Sequence, residues 1–218
     1  MKNRVIQMIN VATRRWARLA LVALAGWTFL AKAEEATTLT AAEREEAIGQ
    51  LEESRKKFLA AIAGLSEQQW NFKPAPDRWS AAECAEHIAV TEAGAFRLIT
   101  GQIMNSPAEQ EKKSSRRPDG SIRPLMLDRS RKAQANEMLR PIGRWKTQQQ
   151  LDQAFSEVRN QTIAYVRDTK DDLRSHFGPH PALGPLDAYQ WILFLSAHCE
   201  RHTLQIAEVK ADPKFPRD

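Results

Sequence analysis

Three copies of one helix-start signal constrain the fold of this 218-residue chain more than any other feature. A hydroxyl residue followed three positions later by Glu or Gln is the pattern of a capping box, and it occurs at Thr40–Glu43, Ser80–Glu83 and Thr147–Gln150. Apolar residues at helical spacing follow each signal, whereas strand signals are nearly absent. The sequence therefore predicts an all-α fold.

Four amphipathic helices follow from these signals and from a long apolar run near the C-terminus. The predicted helices run from Ala41 to Gly64, from Ala81 to Met104, from Gln148 to Asp168, and from Pro185 or Leu186 to Lys210. Each helix carries an apolar stripe that must be buried against a partner. We expect residues 34–218 to form a four-helix bundle.

The lengths of the connections predict the direction of each helix. Short connections join the first helix to the second and the third to the fourth, which favours antiparallel neighbours. About 40 residues separate the second and third helices, enough to travel back along a helix roughly 36 Å long. We therefore expect an up-down-down-up bundle with a long crossover between helices two and three.

The N-terminus has the composition of a secretory signal peptide. Residues 1–18 include basic residues and no acidic ones, residues 19–30 are apolar, and Ala31-Lys32-Ala33 fits a small-x-small cleavage site. The apolar run is shorter than the roughly 20 residues of a membrane-spanning helix. We expect residues 1–33 to be a signal peptide and the mature protein to be periplasmic or secreted; a retained anchor and twin-arginine export through Arg14-Arg15 are alternatives.

Removal of this leader changes the charge of the chain. The full sequence has 32 Lys and Arg against 27 Asp and Glu. Because the leader holds six of the basic residues and no acidic ones, subtracting six from 32 leaves 26 basic against 27 acidic residues, a net charge of −1. This balance gives no general case for nucleic-acid binding. We expect no nucleic-acid partner and no stable membrane span after cleavage, and a homodimer stays open.

The crossover is the one strongly basic segment of the mature sequence. Residues 112–146 contain 11 basic residues and three acidic ones, Asp119, Asp128 and Glu137. Two interpretations stay open. The segment is either a solvated and partly mobile crossover, or a lid that attracts an anionic substrate or a lipid headgroup.

Two histidines four residues apart lie in the longest apolar run of the mature chain. His198 and His202 lie one turn apart on one face of the fourth helix, and His87 follows the start of the second helix. Three imidazole nitrogens with an open coordination position are typical of a catalytic metal site. The pattern is not the zinc-protease HExxH motif, because Glu200 stands two residues after His198.

The residues around these histidines resemble a known family. The segment from Trp70 to Ile88, which contains Trp79, Ser80 and His87, is similar to the start of the second helix in the DinB-like superfamily. His198 and His202 match the second half of that family's signature. The resemblance covers Leu51 to Val209. It implies a four-helix bundle with zinc, nickel or a similar divalent ion on His87, His198 and His202.

The resemblance also implies a range of activities. It implies kinship with thiol S-transferases, mycothiol-dependent isomerases and metal-dependent hydrolases. We therefore expect an exported metal-dependent enzyme of the hydrolase or thiol S-transferase type, acting on an unidentified small molecule. The alternative is a non-catalytic periplasmic binding or stress-related bundle protein in which the metal site is vestigial or structural.

Two cysteines and two glutamates lie close to the predicted ligands in the sequence. We expect Cys84 and Cys199 to be buried free thiols. Two alternatives stay open: a disulfide between them, or a role for either thiol as a ligand or nucleophile. We expect Glu86 and Glu92 to be solvated helix carboxylates. Their alternative roles are to accept hydrogen bonds from imidazole N–H groups or to act as a general base.

The remaining histidines and the tryptophans are expected to be structural. His176 and His180 occupy the Gly/Pro-rich segment before the fourth helix, and we expect both to be loop residues. The alternative is that they contact the metal or the substrate. Four tryptophans are expected in bundle-end and core packing rather than in a ligand cage: Trp70, Trp79, Trp145 and Trp191. Trp79 and Ser80 would set the position of His87 without touching the site.

Overall fold

The computed structural model describes residues 38–130 and 135–217. The predicted signal peptide, residues 1–33, lies outside the described residues. Within the described part of the chain, no helix is both long enough and apolar enough to cross a membrane.

Six α-helices and one β-hairpin make up the described chain. In chain order they are α1 (Ala41–Ile62), α2 (Glu67–Asn71), α3 (Ala81–Leu98), α4 (Ile122–Leu127), α5 (Gln148–Asp168), β1 (Phe177–His180), β2 (Gly184–Asp187) and α6 (Ala188–Lys210). A π-helical turn over Ile99–Ile103 continues α3, and short 3-10 turns cover Gln110–Ser114, Asp119–Ser121 and Glu137–Leu139. The prediction of a mostly helical fold is confirmed.

Side-chain caps fix where the long helices begin. The capping boxes predicted at the starts of α1 and α3 are both present. At α5 the predicted box is only half formed, because Thr147 Oγ1 accepts the Gln150 N–H but Gln150 Oε1 accepts the Lys146 N–H. At α3, Ser80 Oγ accepts the Glu83 N–H at 3.1 Å while the Glu83 carboxylate accepts the Ser80 N–H at 2.8 Å. These reciprocal bonds satisfy donors that the first helical turn leaves without intrahelical partners. They also fix the rotation of α3, and with it the direction of His87.

The predicted helix bounds hold with small corrections. α5 has the predicted bounds, and α6 ends at Lys210 as predicted. α1 ends at Ile62, before Gly64 with its φ of 69°, and the α-helical part of α3 ends at Leu98 rather than at Met104. α6 begins at Ala188 because Asp187 caps it, a signal that lies inside a Pro-rich segment.

Each long helix packs against two others. α1 and α3 both pack against α5 and α6, so α1 and α3 occupy opposite corners of the bundle, and α5 and α6 occupy the other two. The expectation that the short connections join neighbouring helices is therefore wrong. The connection between α1 and α3 contains α2 and is long enough to cross the end of the bundle. In the core, the Phe58 and Phe155 rings pack edge to face with centroids 4.8 Å apart. Each buried ring of this kind contributes about 1.5–3 kcal/mol to stability.

A short β-hairpin between α5 and α6 corrects the purely helical prediction. Its strands are antiparallel, with Phe177 opposite Asp187 and His180 opposite Gly184. Strands of four residues that contain Pro and Gly show no apolar alternation, so the sequence does not reveal them. A Cβ atom at Gly178 would lie 2.5 Å from Ile103 Cδ1, which shows how closely the hairpin approaches the π-helical turn.

An ion pair between Arg159 and Glu92 lies in the centre of the bundle. The Arg159 guanidinium donates to both Glu92 carboxylate oxygens, at 2.7 and 2.8 Å, and also to Leu51 O and Ser54 Oγ. Both side chains are essentially inaccessible to water, at 0% and 1% exposure. The expectation of a solvated Glu92 is therefore wrong. Glu92 joins α3 to α5 instead of serving an imidazole or acting as a base.

The basic crossover is packed against α6. Ile122 is buried, and Arg123 and Arg129 form bidentate ion pairs with Glu200 and Glu208 of α6. Acidic residues outside residues 112–146 thus neutralise much of its charge. In its described part, the crossover is therefore paired with acidic residues and packed along α6, while most of its side chains remain exposed or half-buried.

Candidate metal centre

His87 on α3 and His198 and His202 on α6 converge on one point. One ring nitrogen from each lies within 4.8 Å of the others. Among the described residues, this is the one cluster of three or more His, Cys, Asp or Glu side chains with such spacing. The structure thus brings together all three residues that the sequence proposes as ligands; that they bind a metal stays a prediction.

Hydrogen bonds define the tautomers of two of these rings. His87 Nδ1 lies 2.8 Å from the Leu139 carbonyl oxygen, and His202 Nδ1 lies 2.9 Å from Gln205 Oε1. Both oxygens are acceptors, so both Nδ1 atoms carry hydrogen and both Nε2 atoms present lone pairs. His87 Nε2 lies 3.1 Å from His198 Nε2, which must therefore be the donor.

Burial keeps the three imidazoles neutral. Removal from water lowers the pKa of His87. Removal from water, and then the nearby His202 and His87 rings, lower the pKa of His198 well below its usual range. Burial and the neighbouring His87 ring lower the pKa of His202 to about 3. Neutral imidazole is the form that binds a metal. At neutral pH, His87 and His202 therefore present Nε2 lone pairs, and His198 would present its Nε2 lone pair once the hydrogen on that atom moves to Nδ1.

The geometry fits a divalent ion. Zinc–nitrogen bonds are about 2.1 Å long, so two nitrogens on one ion lie at most about 4.2 Å apart. The observed upper limit of 4.8 Å is within a small side-chain movement of that distance. Three neutral nitrogen donors suit borderline-soft divalent ions such as zinc and nickel.

Aromatic rings enclose the histidines. The Trp79 ring centroid lies 4.9 Å from that of His87 and 5.9 Å from that of His202, and Phe194 lies 5.3 Å from His198. The expectation that Trp79 acts only at a distance from the site is therefore wrong. Its indole forms part of the wall that keeps water away from the rings.

Glu86 contacts no imidazole. Its carboxylate accepts the backbone N–H groups of Ile142 at 2.8 Å, Gly143 at 2.9 Å and Arg144 at 3.3 Å. The Arg144 guanidinium adds a bond of 2.7 Å. Burial alone would raise the pKa of Glu86, but these donors lower it overall. The expectation of a solvated Glu86 is therefore wrong, and so is the alternative that Glu86 accepts a hydrogen bond from an imidazole N–H group.

The two cysteines are free and buried, as expected. Burial raises the pKa of the Cys84 thiol, and it raises that of Cys199 to about 11. Cys199 Sγ donates to the Ser54 carbonyl oxygen across 3.6 Å. Both groups are therefore thiols at neutral pH, which makes them poor nucleophiles and poor ligands.

The other two histidines lie outside the cluster. His176 Nδ1 lies 2.8 Å from the Ser106 carbonyl oxygen. His180 belongs to β1 rather than to a loop, and its ring packs against Trp191 and Phe194 at centroid distances of 5.1 and 4.6 Å. The Phe194 ring packs against both His180 and His198. Trp191 is a core residue as expected, and its indole N–H donates to Gly178 O at 3.3 Å.

Trp70 and Trp145 are half-buried at one end of the bundle, as predicted. They line an open cavity of about 760 Å³ that also contacts Pro141, Ile142 and Gly143. The three histidines do not line this cavity. The two tryptophans therefore have no contact with the candidate metal centre in the described structure.

Sequence reasoning missed two groups that hold the ligands. Gln205 lies three residues after His202, so helical spacing alone could have identified it as a partner. No sequence pattern identifies the Leu139 carbonyl as a partner of His87, because the position of a backbone oxygen in the crossover is known only when the path of the chain is known.

A four-helix bundle with three convergent histidines defines a class of helical metal-binding proteins. The model of the DinB superfamily matches residues 50–206, and the chain belongs to this superfamily, as the sequence predicts. The chain is 26% identical over 160 residues to the uncharacterized protein YuaE of Bacillus subtilis (strain 168). The alignment covers 72% of this chain and 93% of YuaE.

A solved structure shares the fold. YfiT from Bacillus subtilis, described as a probable metal-dependent hydrolase with an unusual four-helix bundle topology, superposes with a TM-score of 0.51. The alignment covers 79% of this chain and 89% of YfiT, at 14% sequence identity. At this identity the likeness establishes the four-helix bundle and nothing about the reaction.

Proposed function

We propose that this protein is a metal-dependent hydrolase whose divalent ion is held by His87, His198 and His202. The convergence of three neutral imidazole nitrogens from two helices carries this proposal. An ion with three neutral ligands and an open position lowers the pKa of bound water and polarises a carbonyl or phosphoryl group. Zinc is our first choice of ion and nickel the second.

The protein groups around the histidines would support this chemistry in specific ways. Trp79 and Phe194 restrict water at the rings. Glu86 and Glu92 are engaged with other partners, so neither can serve as a general base. Uncharged ligands leave the ion its full charge, which favours an electrophilic role. The proposal extends to this chain the class of reaction named in the description of YfiT, a probable metal-dependent hydrolase.

Thiol S-transfer is less well supported by this structure. Because Cys84 and Cys199 are buried and protonated, any reacting thiol would have to come from the substrate. In either reaction the substrate would be a small molecule. We further propose that the protein acts outside the cytoplasm, on the basis of the leader-like composition of residues 1–33.

We also infer that the bundle has the up-down-down-up order that the connection lengths predict. Tyr189 Oη donates to Glu43 O where α6 and α1 begin, and Lys210 Nζ donates to Ala61 O where both end. These bonds support parallel directions for α1 and α6. Gln148, which begins α5, donates to Ile62 O at the end of α1, which supports opposite directions for that pair.

A hydrolysis screen tests the proposed activity. The mature protein would be stripped of metal, reloaded with zinc or nickel, and assayed against activated esters, amides and phosphodiesters. We expect turnover only with the ion present, loss of turnover in His198→Ala, and no loss in the control His176→Ala. Equal turnover by the parent and His198→Ala would contradict the proposal. Stoichiometric metal binding without turnover of any of these substrates would favour the non-catalytic alternative.

A further inference from the structure

The structure assigns a positioning role to Glu86 and Arg144, which together hold residues 138–144 so that the Leu139 carbonyl orients His87. We call residues 138–144 the strap. The inference rests on the proposed metal site and adds to it two residues that do not touch the ion.

The strap is the partner of His87 on the side away from the other two histidines. The Leu139 carbonyl can only accept, so its 2.8 Å contact places hydrogen on His87 Nδ1 and leaves a lone pair on Nε2. Hydrogen bonds of this kind fix the tautomer and the orientation of a ligating imidazole. The position of Leu139 O therefore decides how well His87 is prepared to bind an ion.

Apolar packing does little to fix the strap. Leu139 and Pro141 are half-buried, and the other strap residues are exposed. Met138 and Ile142 are exposed to 76% and 74% of their surface. On its outer side, the strap borders the open cavity at the end of the bundle. Apart from the Leu139 side chain, which lies over Gly94, the contacts that hold the strap against α3 are polar.

Glu86 supplies the contact from α3. It accepts three successive backbone N–H groups, those of Ile142, Gly143 and Arg144. Gly143 has a φ of 76°, a left-handed conformation that turns these N–H groups towards one anion. A carboxylate bound by a run of backbone donors and by a guanidinium is a strong anchor.

Arg144 extends this anchor along the strap. Its Nη1 donates both to Glu86 at 2.7 Å and to the Arg140 carbonyl at 2.8 Å, and its Nη2 donates to the Met138 carbonyl at 3.2 Å. Arg140 and Met138 are the residues on either side of Leu139. The guanidinium thus fixes both neighbours of the carbonyl that orients His87.

Glu86 and His87 are consecutive residues of α3, so one rigid helical turn carries both the anchor and the ligand. Their side chains leave the helix about 100° apart and meet the strap at different points. Loosening the strap at Glu86 is therefore expected to free the imidazole of His87, although Glu86 is bonded to neither the ring nor its partners on α6.

Two substitutions with opposite effects on charge test the assignment. Glu86→Gln removes a negative charge, and Arg144→Met removes a positive charge. Through the electrostatic field alone, the first would weaken the binding of a cation and the second would strengthen it. If the strap positions His87, both changes weaken binding. The control Glu83→Gln removes a negative charge one turn earlier on α3, where Glu83 contacts Lys73 and Ser80 but not the strap, and the Gln side chain can still close the capping box with Ser80.

The dissociation constant for zinc would be measured by competition with a chromogenic chelator, after circular dichroism shows that each variant is helical. We expect Glu86→Gln and Arg144→Met each to weaken zinc binding about tenfold or more, and Glu83→Gln to bind like the parent. Unchanged affinity in both strap variants would overturn the assignment. Tighter binding by Arg144→Met with weaker binding by Glu86→Gln would also overturn it, in favour of a charge effect.

A second readout separates this inference from the proposed function. Long-range ¹H–¹⁵N NMR of the metal-free protein reports the tautomer of His87. We expect a single Nδ1–H form in the parent and a mixture in both strap variants. A parent that binds no zinc would contradict the proposed function, whereas an unchanged tautomer in the strap variants would overturn the positioning role. If one variant does not fold, the other still decides the matter.

Discussion

Arg159 and Glu92 show what one residue pair contributes to this bundle. Two charges have been removed from water completely, a cost that is offset only if their remaining hydrogen-bonding groups also find partners. Here the guanidinium has four short contacts, with Glu92, Leu51 O and Ser54 Oγ, and its carbon lies 5.1 Å from the centre of the Phe155 ring. The pair joins α3 and α5 and also contacts α1.

Removal of either member of this buried ion pair should therefore lower the free energy of unfolding much more than removal of one member of a surface ion pair. We expect Arg159→Met to lower the free energy of unfolding by about 3–5 kcal/mol, because it leaves Glu92 charged and buried. Urea unfolding at pH 7 measures the change. The control is Arg123→Met, which breaks a bidentate pair with Glu200 at the surface and should cost less than about 1 kcal/mol. Equal losses in the two variants would contradict this interpretation.

At the scale of elements, the hairpin before α6 depends on a neutral histidine. His180 Nδ1 accepts the N–H groups of Ala182 at 3.2 Å and Leu183 at 3.0 Å, which close the turn between β1 and β2. A protonated Nδ1 could not accept them. Burial lowers the pKa of His180 to about 4, from an ordinary value near 6.5. The fold thus keeps this ring uncharged.

This shift predicts how stability depends on pH. Because the folded pKa lies below the unfolded one, the unfolded chain binds more protons between pH 6.5 and 4, so the contribution is present above pH 6.5 and is lost as the pH falls. From pH 7 to pH 5, the metal-free parent should lose about 2 kcal/mol more than His180→Gln, whose amide does not titrate.

Urea unfolding at the two pH values measures both losses. Contributions from the three clustered histidines occur in both proteins and cancel in the difference. Parallel losses in the parent and His180→Gln would show that His180 is not held neutral by the fold.

The elements themselves could be predicted to different degrees. Capping boxes at Thr40 and Ser80 and the periodicity of α5 are local signals, so the positions of the helices could be predicted to within a few residues. The start of α6 depends on Asp187, which ends a strand before it caps a helix. The hairpin is held by tertiary contacts such as Gly178 with Ile103. Local patterns do not contain contacts of that kind.

At the scale of the whole molecule, the candidate site joins two helices that are far apart in the chain. His87 comes from α3, and His198 and His202 come from α6, so a bound ion would cross-link elements separated by more than 100 residues. An ion that binds only the folded state stabilises it in proportion to the logarithm of its concentration. Stability and metal occupancy should therefore be linked.

We expect zinc at about 100 times its dissociation constant to raise the free energy of unfolding of the parent by about 2.7 kcal/mol. The melting temperature should rise accordingly and fall again when a chelator removes the ion. His202→Ala should keep its fold but show little of this response. A zinc-induced rise of the same size in His202→Ala would place the ion elsewhere.

The ligands could be predicted from the sequence, but their surroundings could not. Histidines one turn apart in an apolar run, with a third after a capping box, are local patterns that identify His87, His198 and His202. The roles of Glu86 and Arg144 depend on where the crossover returns to α3, which no spacing defines. The basic composition of residues 112–146 suggested a solvated crossover or a lid, because the acidic partners on α6 lie far away in the sequence.

Metal content shows whether His87, His198 and His202 hold an ion. Protein comprising residues 34–218, purified without an affinity tag, would be analysed by plasma mass spectrometry beside His87→Ala, His198→Ala and the control His176→Ala. We expect close to one equivalent of a divalent ion in the parent and the control, and little in the other two. A parent that contains no metal, even after soaking with zinc and nickel, or variants that retain a full equivalent, would contradict the proposed metal site.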